Sequence, residues 1–262
     1  MGQPVADRTA IQWTDATFNP WWGCERVSPA CAHCYADTLA RRYGYSLWGD
    51  DSPRRFLSEQ HWRQPIRWNA QATERGKPMK VFCASMADVF EDRDELTPWR
   101  ERLWTLIEQT PMLHWQLLTK RPENVAAMVP WRTDWPPNVW MGASVENSRH
   151  TFRVDTLRAL PAAVRFISAE PLLGSLFLNS KPNRRPLELD GVDWVIAGGE
   201  SGPRHRPVDL EWVRELRDAC VAAGVPFFYK QRGGRTSKSG GRELDGRIWG
   251  EFPTAPVLRY AK

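Results

Sequence analysis

Residues 139–147 read VWMGASVEN, an almost unbroken apolar run that closes on serine, glutamate and asparagine. Apolar runs of this length are typical of strands that are buried on both faces of a parallel sheet. Five other runs share this form, and they occupy residues 80–85, 115–120, 164–170, 194–200 and 226–230. Together they predict a parallel sheet, in which residues 11–13 would form the first strand.

Segments with apolar residues at helical spacing lie between these runs, at residues 98–110, 124–128, 147–160 and 209–223. Gly224 follows the last segment and is a common residue at the end of a helix. Alternating strands and helices predict βαβ units, and a chain of 262 residues is long enough to bury one large core. We therefore expect an α/β barrel that forms a single domain over residues 1–262.

The ends of the apolar runs carry chemically useful side chains. They are Ser85, Asp88, Thr119, Lys120, Ser144, Glu146, Asn147, Ser168, Glu170, Glu200 and Ser201. In an α/β barrel the active site is built from the loops that follow the strands. Serine and aspartate also cap helices, but capping accounts less well for Lys120, Glu170 and Glu200. These positions predict a functional site at one end of the barrel.

The charge and the aromatic content favour a polyanionic partner. The net charge is +5 and the pI is about 9.1, although a charge of this size also serves solubility. Arginine pairs at residues 41–42 and 54–55, the RHR segment at 204–206, and exposed tryptophans at 21 and 22 would favour nucleic acid. Against this, arginine pairs often lie on solvated faces, and core packing should account for most of the fifteen tryptophans.

The sequence also bears on location and order. No apolar run approaches the roughly 20 residues of a membrane span, and the first residues lack the pattern of a secretory signal. We therefore expect a cytoplasmic protein. Residues 232–247 are rich in glycine and basic residues, which predicts a flexible basic loop that is either solvated or folded over the site.

Three of the five cysteines lie close together, as Cys24, Cys31 and Cys34 in the spacing C-x6-C-x2-C. In a reducing cytosol such a group is more often a metal site than a disulfide framework. A four-iron, four-sulfur (4Fe-4S) cluster held by only three thiolates keeps one iron open for a substrate or cofactor. Zinc needs a fourth ligand, which His33 is poorly placed to supply. Unligated thiols are the third alternative.

The sequence around these cysteines resembles that of a known superfamily. Residues 19–36, NPWWGCERVSPACAHCYA, resemble the cluster loop of radical S-adenosylmethionine (AdoMet) enzymes related to spore photoproduct lyase. LLTKRPENV at 117–125 and MGASVEN at 141–147 resemble strand ends of the same enzymes. The whole pattern over residues 11–234 resembles most closely a phage-associated family of three-Cys-motif proteins of unknown function.

The resemblance implies a partial TIM-like (β/α)6-type barrel of the radical SAM kind. It implies a 4Fe-4S cluster held by Cys24, Cys31 and Cys34, in a cluster loop over residues 19–36. The first gap between cysteines is three residues longer than is usual in the superfamily, and His33 takes a position that is usually aromatic.

The resemblance further implies AdoMet as the second cofactor, with Lys120 neutralising its carboxylate and Ser144 hydrogen-bonded to the carboxylate or the ribose. Glu146 and Asn147, just past the same strand, would reach the ribose hydroxyls.

The motif that usually binds the AdoMet amino group, an early Gly-Gly-Glu, is missing. Residues 198–200 match it in letters but come too late in the chain. We therefore expect Ser85 and Asp88 to bind the amino group, and Glu200 to face the substrate.

The expected activity follows from the same resemblance. An electron donor protein would reduce the cluster, and the 5′-deoxyadenosyl radical made from AdoMet would modify or repair a nucleic acid or nucleotide. Glu170 and Glu200 are the candidate catalytic residues, acting as acid and base or binding a cationic substrate. The alternative is a non-catalytic, metal-stabilised protein that binds nucleic acid and holds zinc in its cysteines.

Overall fold

The computed structural model of the protein describes residues 9–177, 187–236 and 239–254. Its strands are β1 (Ala16–Thr17), β2 (Trp21–Trp22), β3 (Arg55–Phe56), β4 (Met79–Cys83), β5 (Leu113–Thr119), β6 (Val139–Ser144), β7 (Val164–Ala169), β8 (Trp194–Gly198), β9 (Phe227–Gln231), β10 (Glu243–Leu244) and β11 (Arg247–Ile248). Its helices are α1 (Tyr35–Arg42), α2 (Glu59–Trp62), α3 (Gln64–Arg75), α4 (Thr97–Gln109), α5 (Pro122–Met128), α6 (Phe152–Arg158) and α7 (Leu210–Ala223).

Seven strands form one parallel sheet. β4 to β9 pair with one another in chain order, and β1 pairs with β4 at one edge. Within the described residues β1 and β9 are not paired, so the sheet curls without closing. This arrangement confirms the expected α/β partial barrel. The first strand was predicted wrongly, because β1 begins at Ala16 rather than at residues 11–13.

The inside of the curled sheet holds an aromatic core. The ring of Trp13 lies 4.6 Å from that of Phe82, 6.4 Å from that of Phe166 and 6.2 Å from that of Trp194. These partners belong to β4, β7 and β8, and a flat sheet would hold β4 and β8 too far apart to share one neighbour. Residues 11–13 therefore close the lower end of the barrel instead of extending a strand.

Helices cover the outer face of the sheet. α7 begins at the capping residue Asp209, whose side chain accepts a hydrogen bond from the amide of Glu211, and ends at Gly224 in the left-handed conformation. α3 was not predicted from the sequence, because Trp68 and Ala72 are the main buried residues on an otherwise polar helix. No helix in the described part of the chain is long and apolar enough to cross a membrane.

The structure corrects part of the expected nucleic-acid surface. Trp21 is fully buried, not exposed. Arg54 is also buried, and its guanidinium is paired with the carboxylate of Glu91, whose side chain is fully buried. Trp21 belongs to the large apolar core, and Arg54 also donates to the backbone carbonyls of Leu47 and Ser52, so neither side chain is open to a nucleic acid. Most of the other tryptophans are core residues, as the sequence predicted.

Candidate active site at the mouth of the partial barrel

Alternation along the strands brings polar side chains to the inner mouth of the barrel. Side chains two residues apart on a strand face the same way, and Phe166 on β7 points into the aromatic core. Ser168 and Glu170 continue that inward row. On β5, Lys120 continues the row of Leu118, which also packs against the inner core. The polar strand ends therefore lie above the aromatic core.

Lys120 and Ser144 meet at this mouth, where the Lys120 Nζ donates to the Ser144 Oγ over 3.4 Å. On β6, Gly142 lies two residues before Ser144 and faces the same way. A Cβ on Gly142 would lie 2.3 Å from the ring of Phe166, so the glycine makes room for that ring. Lys120 and Ser144, both predicted to bind AdoMet, thus contact each other, and that role stays a prediction.

Glu170 is paired with a residue that sequence analysis did not select. Lys230 Nζ lies 2.7 Å from Glu170 Oε1, and both side chains are largely buried. Lys230 follows the inward-facing Phe228 by two residues on β9, so alternation would have identified it. A Cβ on Gly198 would come within 2.9 Å of Glu170 Oε1, so that glycine leaves space for the carboxylate.

Cys24 is fixed between two segments. Its amide donates to the carbonyl of Leu47, and the neighbouring Gly23 amide donates to the carbonyl of Met86. Gly23 has a φ of +116°, and a Cβ there would lie 2.7 Å from the Leu47 carbonyl oxygen. Glycine before this cysteine is therefore a requirement of the backbone.

Cys34 precedes α1, and its carbonyl accepts the first hydrogen bond of that helix from Thr38. Cys24 and Cys34 both pack against one apolar group, formed by Ala36, Ala40, Leu47, Trp48 and Met86. Cys31 lies close enough to Cys34 to oppose its ionisation. Burial is the main cause that raises the pKa of Cys34, and it raises the pKa of Cys24 to about 12.

Two cations from the end of β5 face these thiols. Arg121 Nη1 lies 3.9 Å from the Cys24 Sγ, and the charge of Lys120 lowers the pKa of Cys34 against the effect of burial. Burial lowers the pKa of Arg121, but Asp88 and Cys24 outweigh it and raise the pKa above its usual value. If these cysteines bind a metal as thiolates, the positive charges of Arg121 and Lys120 lie beside them.

The surroundings of the three cysteines suit a 4Fe-4S cluster. Among the described residues, no three His, Cys, Asp or Glu side chains converge as they would around one metal ion. A 4Fe-4S cluster does not require its thiolates to converge on one point, because each thiolate binds a different iron. Apolar packing around Cys24 and Cys34, with Arg121 and Lys120 alongside, suits such a negatively charged group.

Asp88 holds the end of β5 in place. Its carboxylate accepts hydrogen bonds from the Thr119 hydroxyl (2.7 Å), the Lys120 amide (3.0 Å), the Arg121 guanidinium (3.2 Å) and the Phe90 amide (3.1 Å). This carboxylate, which was predicted to bind the AdoMet amino group, therefore accepts hydrogen bonds from four groups of the protein itself.

Ser85 lies beside the cysteine loop. Its hydroxyl accepts a hydrogen bond from the Asn19 side chain at 3.1 Å, and its carbonyl accepts one from the Tyr35 hydroxyl at 2.8 Å. Although the Tyr35 residue is 53% exposed, its hydroxyl faces inward, and burial, Cys34 and Glu170 all raise its pKa. Tyr35 was not predicted as a site residue, and nothing in the neighbouring sequence marks it as one.

Glu146 and Asn147 build the turn that follows β6. Glu146 is 1% exposed, and its carboxylate accepts a hydrogen bond from Arg153 at 2.9 Å. The Asn147 side chain accepts one from the amide of Arg149 at 3.0 Å and lies 2.9 Å from the His150 ring. These contacts use one carboxylate oxygen of Glu146 and the amide oxygen of Asn147, and the expected role of both residues at the ribose stays a prediction.

Glu200 joins β8 to the cysteine loop. Its Oε2 lies 3.0 Å from His33 Nδ1, and its carboxylate accepts hydrogen bonds from the Arg206 amide and guanidinium. Arg206 also donates to the carbonyl of Pro29 over 3.1 Å. Burial raises the pKa of Glu200, but the hydrogen bonds from Arg206 and His33 outweigh it and hold the pKa below its usual range.

The glycines before Glu200 have a packing role. A Cβ on Gly199 would lie 2.0 Å from the carbonyl oxygen of Arg232. Residues 232–247 include β10 and β11, which form an antiparallel hairpin, and the Gly234 amide donates to the Glu200 carbonyl. Residues 237 and 238 lie outside the described part of the chain.

Comparisons with known proteins give a family and a structural likeness. The family model described as "Protein of unknown function (DUF5131)" matches residues 8–253. The chain is similar to spore photoproduct lyase complexed with dinucleoside spore photoproduct, with 12% identity, a TM-score of 0.47, and coverage of 81% of this chain and 62% of that chain. A tyrosine mutant of that lyase gives 13% identity and a TM-score of 0.48, again over 81% of this chain and 62% of that one. No curated protein matches the chain significantly.

Proposed function

The chain belongs to the DUF5131 family of proteins of unknown function, and we propose that it is a radical AdoMet enzyme that modifies or repairs a nucleic acid or nucleotide. The observation that carries this proposal is the meeting of the cysteine loop with the end of β5. Cys24 lies beside Arg121, and Cys34 lies near Lys120, above the inner mouth of a partial barrel. Three thiols and an inward lysine together suit a cluster and a carboxylate-bearing cofactor.

In this proposal Cys24, Cys31 and Cys34 hold a 4Fe-4S cluster, and the cluster with AdoMet supplies a 5′-deoxyadenosyl radical when both are bound. Lys120 binds the AdoMet carboxylate, and Ser144 holds the Lys120 ammonium at the mouth. Burial of the aromatic core below this mouth excludes water from the reacting groups.

Other residues of the site have supporting roles. Ser85 offers a hydroxyl to the AdoMet amino group, while Asp88 acts on the cofactor by fixing the backbone of Lys120. Glu146 and Asn147 shape the turn beside the ribose. Glu170 faces the mouth with Lys230 and is the candidate acid or base, whereas Glu200 holds the cysteine loop. An electron donor protein in the cytoplasm would reduce the cluster.

The test is to purify the protein without oxygen, reconstitute it with iron and sulfide, and measure iron, sulfide and visible absorption. We expect about four irons per chain and broad visible absorption. After reduction, the protein should convert AdoMet to 5′-deoxyadenosine and methionine, which liquid chromatography with mass spectrometry detects.

A matched pair of cysteine variants makes the test specific. Cys31→Ser should lose most of the iron, while Cys220→Ser should keep it, because Cys220 is buried within α7 away from the loop. Colourless protein with one bound zinc and no AdoMet cleavage would overturn the proposal. That result would favour the alternative, a metal-stabilised protein that binds nucleic acid without catalysis.

A further inference from the structure

A cavity lies beside the cysteine loop, and we call it the Arg149 cavity. It has a volume of about 600 Å³ and is bounded by Val27 and Pro29 of the cysteine loop, Lys120 at the end of β5, Arg149 of the turn before α6, and Phe152 at the start of α6. Its volume is within the range of ligand pockets in proteins. Lys120 lines this cavity and also contacts Ser144 at the barrel mouth, so the two spaces adjoin.

The cavity is positively charged. Five of its lining side chains are basic or can become so (Lys120, Arg121, Arg149, His150 and Arg153), against the single carboxylate of Glu123. Arg121 and Arg153 are already paired with acidic residues. Arg149 is exposed, and among the described residues no carboxylate lies within ion-pair distance of its guanidinium. An arginine in this state is well suited to bind a phosphate through two hydrogen bonds.

An aromatic ring stands beside this arginine. Phe152 is 53% exposed, and its ring centroid is 6.4 Å from that of His150 and 5.9 Å from the Arg153 guanidinium carbon. One exposed apolar side chain is ordinary on a protein surface. An exposed ring at the edge of a cationic cavity is a different case, since bases of single-stranded nucleic acids stack on such rings while cations bind the backbone.

We propose that the Arg149 cavity binds one nucleotide of a nucleic-acid single strand, next to the nucleotide that enters the barrel mouth. Arg149 contacts its phosphate, and the ring of Phe152 stacks on its base. This inference rests on the proposed function for the identity of the substrate. It moves the nucleic-acid contact from Trp21 and Arg54, which are buried, to the turn that follows β6 and the start of α6.

The test is fluorescence anisotropy of the reconstituted protein with a labelled single-stranded DNA of mixed sequence, over a series of salt concentrations, and with RNA of the same sequence in parallel. Arg149→Gln should weaken binding about tenfold and reduce the slope of log affinity against log salt by about 0.7, the loss of one phosphate contact. Phe152→Ala should weaken binding roughly tenfold, and Phe152→Tyr should restore it.

The matched control is Arg75→Gln. Arg75 is an exposed arginine in the last turn of α3, near the edge of the sheet where the strands begin. The proposal is supported if binding to the DNA or the RNA strand weakens in both cavity variants and not in the control. Equal affinities for all variants, an equal loss in the control, or binding of dAMP without binding of either strand would overturn it.

AdoMet cleavage by the same wild-type preparation separates this inference from the proposed function. Cleavage without strand binding would overturn the cavity assignment alone. Strand binding that depends on Arg149 and Phe152, in protein that cannot cleave AdoMet, would support the cavity and overturn the enzyme proposal.

Discussion

His33 Nδ1 lies 3.0 Å from Oε2 of Glu200, so the cysteine loop is tied to the end of β8. Arg206 strengthens this tie, because it donates to the Glu200 carboxylate and to the carbonyl of Pro29 in the same loop. Within the same loop, Arg121 also donates to the carbonyl and the carboxylate of Glu25. A buried carboxylate just past β8 therefore helps to hold the segment that carries the central cysteine.

Glu200→Gln should loosen this loop, since the amide keeps the size of the side chain but leaves the Arg206 charge without its partner. The loss of one such charge-assisted contact is worth about 1–3 kcal/mol, so a chelator should remove iron about tenfold faster from the reconstituted variant. The control is Glu211→Gln, which alters an exposed pair with Arg214 on α7. Equal rates of iron loss in wild type and Glu200→Gln would contradict the positioning role.

Arg121 should tune the cluster through Cys24. A unit charge about 4 Å away interacts by up to about 4 kcal/mol near a protein surface. Arg121→Met should therefore lower the reduction potential, by an amount on the order of 100 mV. Redox titration followed by electron paramagnetic resonance measures it. Arg121→Lys keeps the charge and should retain most of the potential, and an unchanged potential in Arg121→Met would refute the assignment.

Lys120→Ala should weaken AdoMet binding about ten- to a hundredfold, because the variant loses a charged hydrogen-bond donor, while the iron content stays the same. Equilibrium dialysis with the reconstituted protein gives the affinity. Lys80→Ala is a suitable control, since Lys80 lies on β4 towards its beginning and pairs with Asp15. If Lys120→Ala binds AdoMet as tightly as wild type, the lysine has another role.

Glu91→Gln should destabilise the fold by about 3–5 kcal/mol, because it leaves the buried Arg54 guanidinium without its counter-charge. Asp155→Asn removes one member of an exposed pair with Arg158 and should cost less than about 1 kcal/mol. Urea unfolding curves of the two variants compare these costs directly. Similar midpoints for both variants would mean that the buried pair contributes little.

His114 should make the fold sensitive to acid. Burial, and then the charge of Lys80, lower its pKa from about 6.5 to about 4. The folded state therefore resists protonation that the unfolded state accepts. The contribution of neutral His114 is complete above pH ~6.5 and is lost as the pH falls towards ~4, at up to about 1.4 kcal/mol per pH unit.

The variant His114→Phe keeps a ring next to Trp140, on which His114 stacks, and removes the titration. Its unfolding free energy should fall less steeply than that of wild type between pH 6.5 and 4. Parallel pH profiles for the two proteins would show that His114 does not contribute to the acid sensitivity.

Local patterns in the sequence predicted most of the architecture. The runs at 139–144 and 164–170 became β6 and β7 with almost the expected bounds, and the helix at 209–223 became α7. Hydrophobic periodicity reports which side of an element is buried, and that information is contained in a few neighbouring residues. The positions of Lys120 and Ser144 at the ends of two apolar runs predicted that they share one end of the barrel, where the structure brings them together.

Contacts between distant segments followed no such local pattern. Trp21 and Arg54 looked like exposed, nucleic-acid-binding residues, but they are buried because other parts of the chain fold over them. No sequence pattern near Lys230 predicts Glu170 as its ion-pair partner. Charge and aromatic content do not say whether a side chain is covered, since burial depends on which elements meet.

The sequence by itself determined the strand and helix order, the cysteine spacing and the polar strand ends. Only the tertiary structure decided which polar groups are committed to the protein and which face open space. Asp88 and Glu146 follow strands in the sequence, and the fold gives their oxygens hydrogen bonds from Arg121 and Arg153 that no local pattern predicts. The physical reason is that a buried carboxylate must be paired, and its partner is chosen by the packing of separate strands.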